Sequence, residues 1–230
     1  WLVRQGKAKI KIHIEGEAYV RAAQVEEIFK ELIDALGFGS FSVDYTPIWC
    51  YMELLLEENI SDAEEEIRIL GNLLLEEGRQ EQKAGLSAQI KEKTRRLEQI
   101  DGMKRVLRKV LVQPLYSAAR IEIPHEVHHV LDRARVLIPS LKPQGELPPY
   151  VGESLLKSDE GCDLFLNVAP ESCMVSSMGQ AFKEPVMDLV KSKMRIAGLF
   201  TQNGEVNRER LELALLKTLG PMKYYNVMLN

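Results

Sequence analysis

Between residues 9 and 14 the chain alternates Lys9, Lys11 and His13 with Ile10, Ile12 and Ile14. That is the period-two pattern of a strand with one polar face, and Gly16 closes it. The period then changes: Val25, Ile28, Phe29, Leu32, Ile33 and Leu36 recur at helical spacing and stop at Gly37 and Gly39. Phe41 to Tyr45 reads as a second strand ended by Thr46-Pro47, and a helix carrying Trp49, Cys50, Met52 and Leu54 to Leu56 starts near Ile48. Further on, 163–168 and 194–200 are apolar runs of strand length. The helix predicted over 206–219 has Asn207 as its cap and Gly220-Pro221 as its stop. Strands alternating with helices predict an α/β fold, a Rossmann-like, mostly parallel sheet flanked by helices.

One long stretch interrupts that alternation. Ser61 and Glu64 fit a capping box, and the next fifty or so residues are dense in Glu, Gln, Lys and Arg. The pattern predicts a helical insertion between strands two and three over 61–112, broken near Gly78 to Gly85 and at Asp101-Gly102. The α/β lobe is then split into 1–60 and 113–230. The basic run Lys104-Arg105 with Arg108-Lys109 reads either as a patch for an anionic ligand or as a solvated helix face, and the second needs fewer assumptions. After Pro124 a helix is expected to about Ile138, then a proline-rich loop with Pro139, Pro143, Pro148 and Pro149, then a short helix from Tyr150 to Lys157.

Charge and cysteine usage narrow the classes. At net charge −4 over 230 residues no global basic field points to nucleic acid. Cys50, Cys162 and Cys173 are odd in number and scattered, which argues against a disulfide framework and for a reducing, cytoplasmic setting. No window approaches the ~18 apolar residues of a membrane span, and the first residues lack the apolar core of a signal peptide. The chain opens on Trp1, which points to residues upstream.

Ligands of open parallel sheets bind beyond the carboxyl ends of the strands. The four predicted exits are Glu15-Gly16-Glu17-Ala18-Tyr19-Val20-Arg21, Thr46-Pro47-Ile48-Trp49-Cys50, Pro170-Glu171-Ser172-Cys173-Met174 and Thr201-Gln202-Asn203-Gly204-Glu205. This places Cys50 and Cys173 at one edge, each near a helix N-terminus that favours thiolate. Cys162 precedes strand three and belongs to the opposite edge, roughly 15–20 Å away. Glu17 and Arg21, four apart at a helix start, read as an ion pair or a ligand clamp. His125-Glu126-Val127-His128-His129 matches His-Glu-x-x-His, the helical zinc motif of metallopeptidases. Pro124 at the helix start and the lack of a third ligand better than Glu153 weaken that reading. No phosphate loop, Gly-x-Gly-x-x-Gly or nucleophile elbow is present.

Gly16-Glu17-Ala18-Tyr19-Val20-Arg21, Ile48-Trp49-Cys50-Tyr51, Tyr150-Val151-Gly152-Glu153, Gly161-Cys162-Asp163 and Pro170-Glu171-Ser172-Cys173-Met174 together resemble the 2-hydroxyacyl-CoA dehydratase and benzoyl-CoA reductase superfamily. The likeness is to the dehydratase-like modules associated with its ATP-dependent activases, and it spans nearly the whole chain. It implies Rossmann-like lobes around an iron–sulfur cluster that receives low-potential electrons from the activase, and an acyl-CoA-like substrate. Cys173 matches the position of a cluster-ligand cysteine, with Cys50 as a second cofactor-binding candidate. Glu17, Tyr19 and Arg21 match the strand-one exit motif as catalytic candidates. The activase's nucleotide-binding motifs have no counterpart here. With so few cysteines at the edge, a cluster would draw ligands from another lobe or subunit. A cluster-free scaffold assembling with activase or dehydratase subunits is the alternative.

Overall fold

A polar face on β1 (Ile10–Gly16) and an apolar one pose the question of what covers each. In the computed structural model, which describes residues 10–37, 40–139, 145–171, 173–190, 194–201 and 205–220, helices cover both. The remaining elements of the sheet are β2 (Phe41–Tyr45), β3 (Leu164–Pro170) and β4 (Arg195–Thr201), in the order β2-β1-β3-β4 with every pair parallel. The chain is thus α/β and Rossmann-like, as the alternation of elements predicts. The strand order reverses direction between β1 and β3, which makes their carboxyl ends the crossover crevice of the sheet.

Ile10, Ile12 and Ile14 pack with Leu164, Leu166 and Val168 against α1 (Ala18–Leu36) and α9 (Arg208–Leu219). The opposite face, bearing Phe165 and Ile196, packs against α6 (Leu147–Asp159) and α8 (Lys183–Leu189), while α7 (Met174–Ala181) follows β3. Asn207 caps α9 by accepting from Arg210 N at 3.0 Å, as its sequence position predicts. Tight backbone approach fixes α6: a Cβ on Gly152 would lie 1.9 Å from the Val130 carbonyl oxygen on α5 (Val127–Ala134).

The described residues divide into two compact units, 10–48 with 129–139 and 145–220, and 49–128. The second unit is built on α2 (Ile48–Glu76) and α3 (Gln80–Leu107). They run antiparallel, because Lys93 meets Glu66, Lys104 meets Glu57 and Arg108 meets Glu53. A π-helical turn at Arg108–Val112 and α4 (Gln113–Ala119) follow. The helical insertion between strands two and three is therefore present, with different internal punctuation. Ser61 lies inside α2, so the capping box does not form; the helix already starts at Ile48. The break falls at 77–79, and Asp101-Gly102 stays helical. Three residues of the basic run have acidic partners. Lys104 meets Glu57, Arg105 meets Asp101 at 2.9 Å, and Arg108 meets Glu53 at 3.0 Å and stacks over Trp49. No described helix is long and apolar enough to cross a membrane.

Candidate functional site

The carboxyl edge of the first unit's sheet begins at Gly16, whose carbonyl accepts from Arg21 Nη1. Chain geometry puts Glu17 immediately after it as the N-cap of α1, accepting from Val20 N at 2.9 Å and Tyr19 N at 3.3 Å. A second carboxylate reaches the same helix end: Glu146 Oε1 accepts from Ala18 N at 2.9 Å. Two acids at the positive end of a helix dipole are mutually consistent. Burial nevertheless dominates at Glu146 and, against the pull of Arg21, raises its carboxyl from 4.5 to about 7.

Beneath this turn the polar face of β1 is exposed at Lys11 but buried at His13 and Glu15. Glu15 pairs with Arg21 and accepts from the Thr46 hydroxyl, and both charged side chains are almost fully enclosed. Burial opposes the Glu15 carboxylate, but Arg21 and His13 outweigh it and hold its ionisation below the usual range. His13, 2% exposed, places Nδ1 3.2 Å from Asp44 Oδ2 and Nε2 3.2 Å from Thr46 Oγ1. Since the Thr46 hydroxyl donates to Glu15, its oxygen accepts from His13, and both imidazole nitrogens act as donors. Lys157 on α6 lies 2.8 Å from Asp44 and 2.9 Å from Glu160.

Burial alone would lower His13, yet its hydrogen bonds to Asp44 and Glu15 and the nearby Glu153 raise it from 6.5 to about 9. The native state therefore holds the extra proton. This contribution is full below pH 6.5 and is lost as pH rises through 9. Its size is ~3 kcal/mol at most. Urea midpoints are expected to fall across that interval, and the slope to flatten in His13→Asn. An NMR titration that finds the His13 ring neutral at pH 7.5 would refute this.

The sequence candidates land unevenly. Glu17 and Arg21 do reach this edge, but not as partners: Glu17 caps the helix while Arg21 turns to Glu15 and the Gly16 carbonyl. Tyr19 points outward, 67% exposed. Cys173 is half-buried as the N-cap residue of α7, and its thiol makes no capping bond. Cys162 sits at the amino end of β3, where its thiol donates to the Leu164 carbonyl at 3.3 Å and burial pushes it up to about 12. Cys50 is buried and belongs to the second unit. Among the described residues, no cysteine joins a group of three or more His, Cys, Asp or Glu side chains close enough to share a metal ion.

The His-Glu-x-x-His segment does not form its helix, because α5 starts only at Val127 and leaves His125 and Glu126 outside it. Glu126 instead lies 3.3 Å from Arg108 Nε. Glu153, the proposed third ligand, is buried in the first unit beside His13 and Lys157. Of the fourth strand exit, residues 202–204 lie outside the described residues, as does Ser172.

Sequence reasoning gave no site role to His13, Glu15, Thr46, Glu146, Tyr150 or Asn167, although Glu15 and Thr46 stand in the predicted strand exits. The signal for Asn167 was available: it is the one polar residue in the run Leu164-Phe165-Leu166-Asn167-Val168-Ala169, whose strand is buried on both faces.

Fold and edge together define a Rossmann-like α/β unit with a buried charged network at its crossover crevice. Compared with protein-family models, with curated proteins and with solved structures, the chain gives no significant match.

Proposed function

We propose that the chain is a dehydratase-like binding lobe, which holds an acyl-CoA-like molecule at the carboxyl edge of its sheet and works with an activase or dehydratase subunit that brings the electrons. The observation that supports this most is the polar cluster at the crossover between β1 and β3. Glu15, Arg21, Glu146, Tyr150 and Asn167 converge there, where parallel α/β sheets hold their ligands. Glu146 is the group placed to give or take a proton, since its carboxyl titrates near 7. The motif likeness supplies the ligand class.

The cysteines do not fit an iron–sulfur cluster held by this chain alone. Cys162 and Cys173 flank opposite ends of the seven-residue β3, and Cys173 offers one thiol to a centre whose other ligands come from another lobe or subunit. Anaerobic titration calorimetry with short acyl-CoA thioesters is expected to show saturable binding, and the isolated chain to carry no stoichiometric iron or sulfide. If no thioester binds, the reading is wrong. Stoichiometric iron and sulfide that disappear in Cys173→Ala would replace it with a cluster-holding lobe.

A further inference from the structure

Three buried hydrogen-bond donors end in one small region of the first unit with their hydrogen-bonding capacity unfilled among the described residues. Tyr150 is 3% exposed and Asn167 1%. Among the described residues the Tyr150 hydroxyl and Asn167 Nδ2 have only each other, at less than full hydrogen-bond geometry, and Gln180 Nε2 makes no hydrogen bond. The topology brings the three together. Asn167 on β3 is the register partner of Gly198 on β4. A Cβ built on Gly198 would lie 2.8 Å from Gln180 Nε2, so that amide lies against the strand beside Asn167. A Cβ on Gly179 would lie 3.0 Å from Tyr150 Cε1 and 3.3 Å from Asn167 Nδ2. Two glycines thus meet the donors with bare backbone.

Native proteins keep few buried donors unpaired, and groups of them concentrate where stability is traded for function. We propose that Tyr150, Asn167 and Gln180 form a cradle for the uncharged carbonyl oxygen of a bound acyl group. All three are neutral donors, and the acceptor they suit is a carbonyl with two lone pairs. A carboxylate or phosphate suits the place poorly. Arg21 is engaged by Glu15, Lys157 by Asp44 and Glu160, and His13 by Asp44. The Glu15 carboxylate acts directly on Tyr150, adding a negative neighbour. Burial, reinforced by that carboxylate, keeps the Tyr150 hydroxyl protonated, so it has a hydrogen to donate.

This inference rests on the acyl-binding reading, and its test separates the two. The full chain is titrated with butyryl-CoA and with S-butyl-CoA, a thioether that lacks only the carbonyl oxygen. The wild-type chain is expected to prefer the thioester roughly tenfold or more. Tyr150→Phe and Asn167→Leu should each erase most of that preference, because thioester affinity falls by more than thioether affinity. Equal affinity for both ligands in the wild-type chain would overturn the cradle and leave acyl-CoA binding standing; binding of neither ligand would sink both. Urea midpoints guard against a folding artefact. Tyr150→Phe is expected to be as stable as wild type or more so, whereas a clear loss of stability would mean that the hydroxyl serves the fold, and the cradle would be rejected.

Discussion

Arg21→Met is expected to lower the stability of the first unit by about 3–5 kcal/mol, the range for breaking a buried ion pair by removing one partner. The magnitude comes from what stays behind. Glu15 is 5% exposed and keeps its charge chiefly because Arg21 offsets its burial. Methionine fills the volume of the arginine stem but offers nothing to that carboxylate or to the Gly16 carbonyl. Glu15 must then bind a proton or remain a buried, half-compensated anion. The loss should accordingly shrink as pH falls, since protonating Glu15 removes the unpaired charge. Pairing Arg21→Met with Glu15→Gln should recover most of the stability, because two matched neutral groups avoid the desolvated charge. Arg21→Lys should fall between, because an ammonium keeps the charge but is more strongly hydrated and sits differently from the Nη1 that reaches both Glu15 and the Gly16 carbonyl. Urea denaturation at pH 7 gives the comparison, and a loss below about 1 kcal/mol would show that Glu15 is solvated in a way its burial denies.

The elements legible in the sequence are those whose signals are local. The β1 alternation, the Gly37 stop of α1 and the Asn207 cap of α9 need only a few neighbouring residues to specify them, and each is where its pattern places it. Strand arithmetic also separates Cys162 from Cys173, because a strand has a fixed rise per residue. Punctuation inside the insertion failed for a related reason. Ser61 with Glu64 is a capping signal only where a helix starts, and a helix already running from Ile48 overrides it. Pro148 and Pro149 read as loop residues, yet they open α6, where the missing N–H of proline is no loss.

The site was less legible because its partners are distant in sequence. The spacing of Glu17 and Arg21 suggests a helical pair, but the true partner of Arg21 is Glu15, two residues before Glu17 and still in the strand. The turn that follows leaves Glu17 free to cap the helix. The polar face of β1 does not say what lies against it, and in a parallel sheet covered on both sides its His13 and Glu15 join a buried network. Its members Asp44, Glu146, Glu153 and Lys157 come from three other elements or loops. The short run Tyr150-Val151-Gly152-Glu153 shows how much one segment can hold. Tyr150 lies with the unfilled donors, Val151 fills the core, Gly152 admits the Val130 carbonyl and Glu153 lies beside His13.

Gly16→Ala should be as damaging as the loss of Arg21, for a different reason. The residue has φ of 123°, a conformation that side chains disfavour, and a Cβ there would lie 2.1 Å from the Val168 oxygen and 2.6 Å from its nitrogen. Neither atom can yield cheaply. The Val168 oxygen accepts from Glu17 N at 2.9 Å, and Val168 belongs to β3, which is paired on both sides. Backbone strain of about 1–3 kcal/mol adds to a packing conflict of similar size. The sum of about 2–6 kcal/mol is a large share of the ~5–15 kcal/mol that holds a domain folded. Gly161→Ala separates the two causes: its φ is 77°, but nothing lies within 4 Å of the added methyl. Only the conformational cost applies there, about 1–2 kcal/mol. Denaturation midpoints of the two variants should therefore differ by several kcal/mol in free energy. If they match, the close approach of β1 to β3 at Gly16 is not what that glycine provides, and the crossover crevice can widen without penalty.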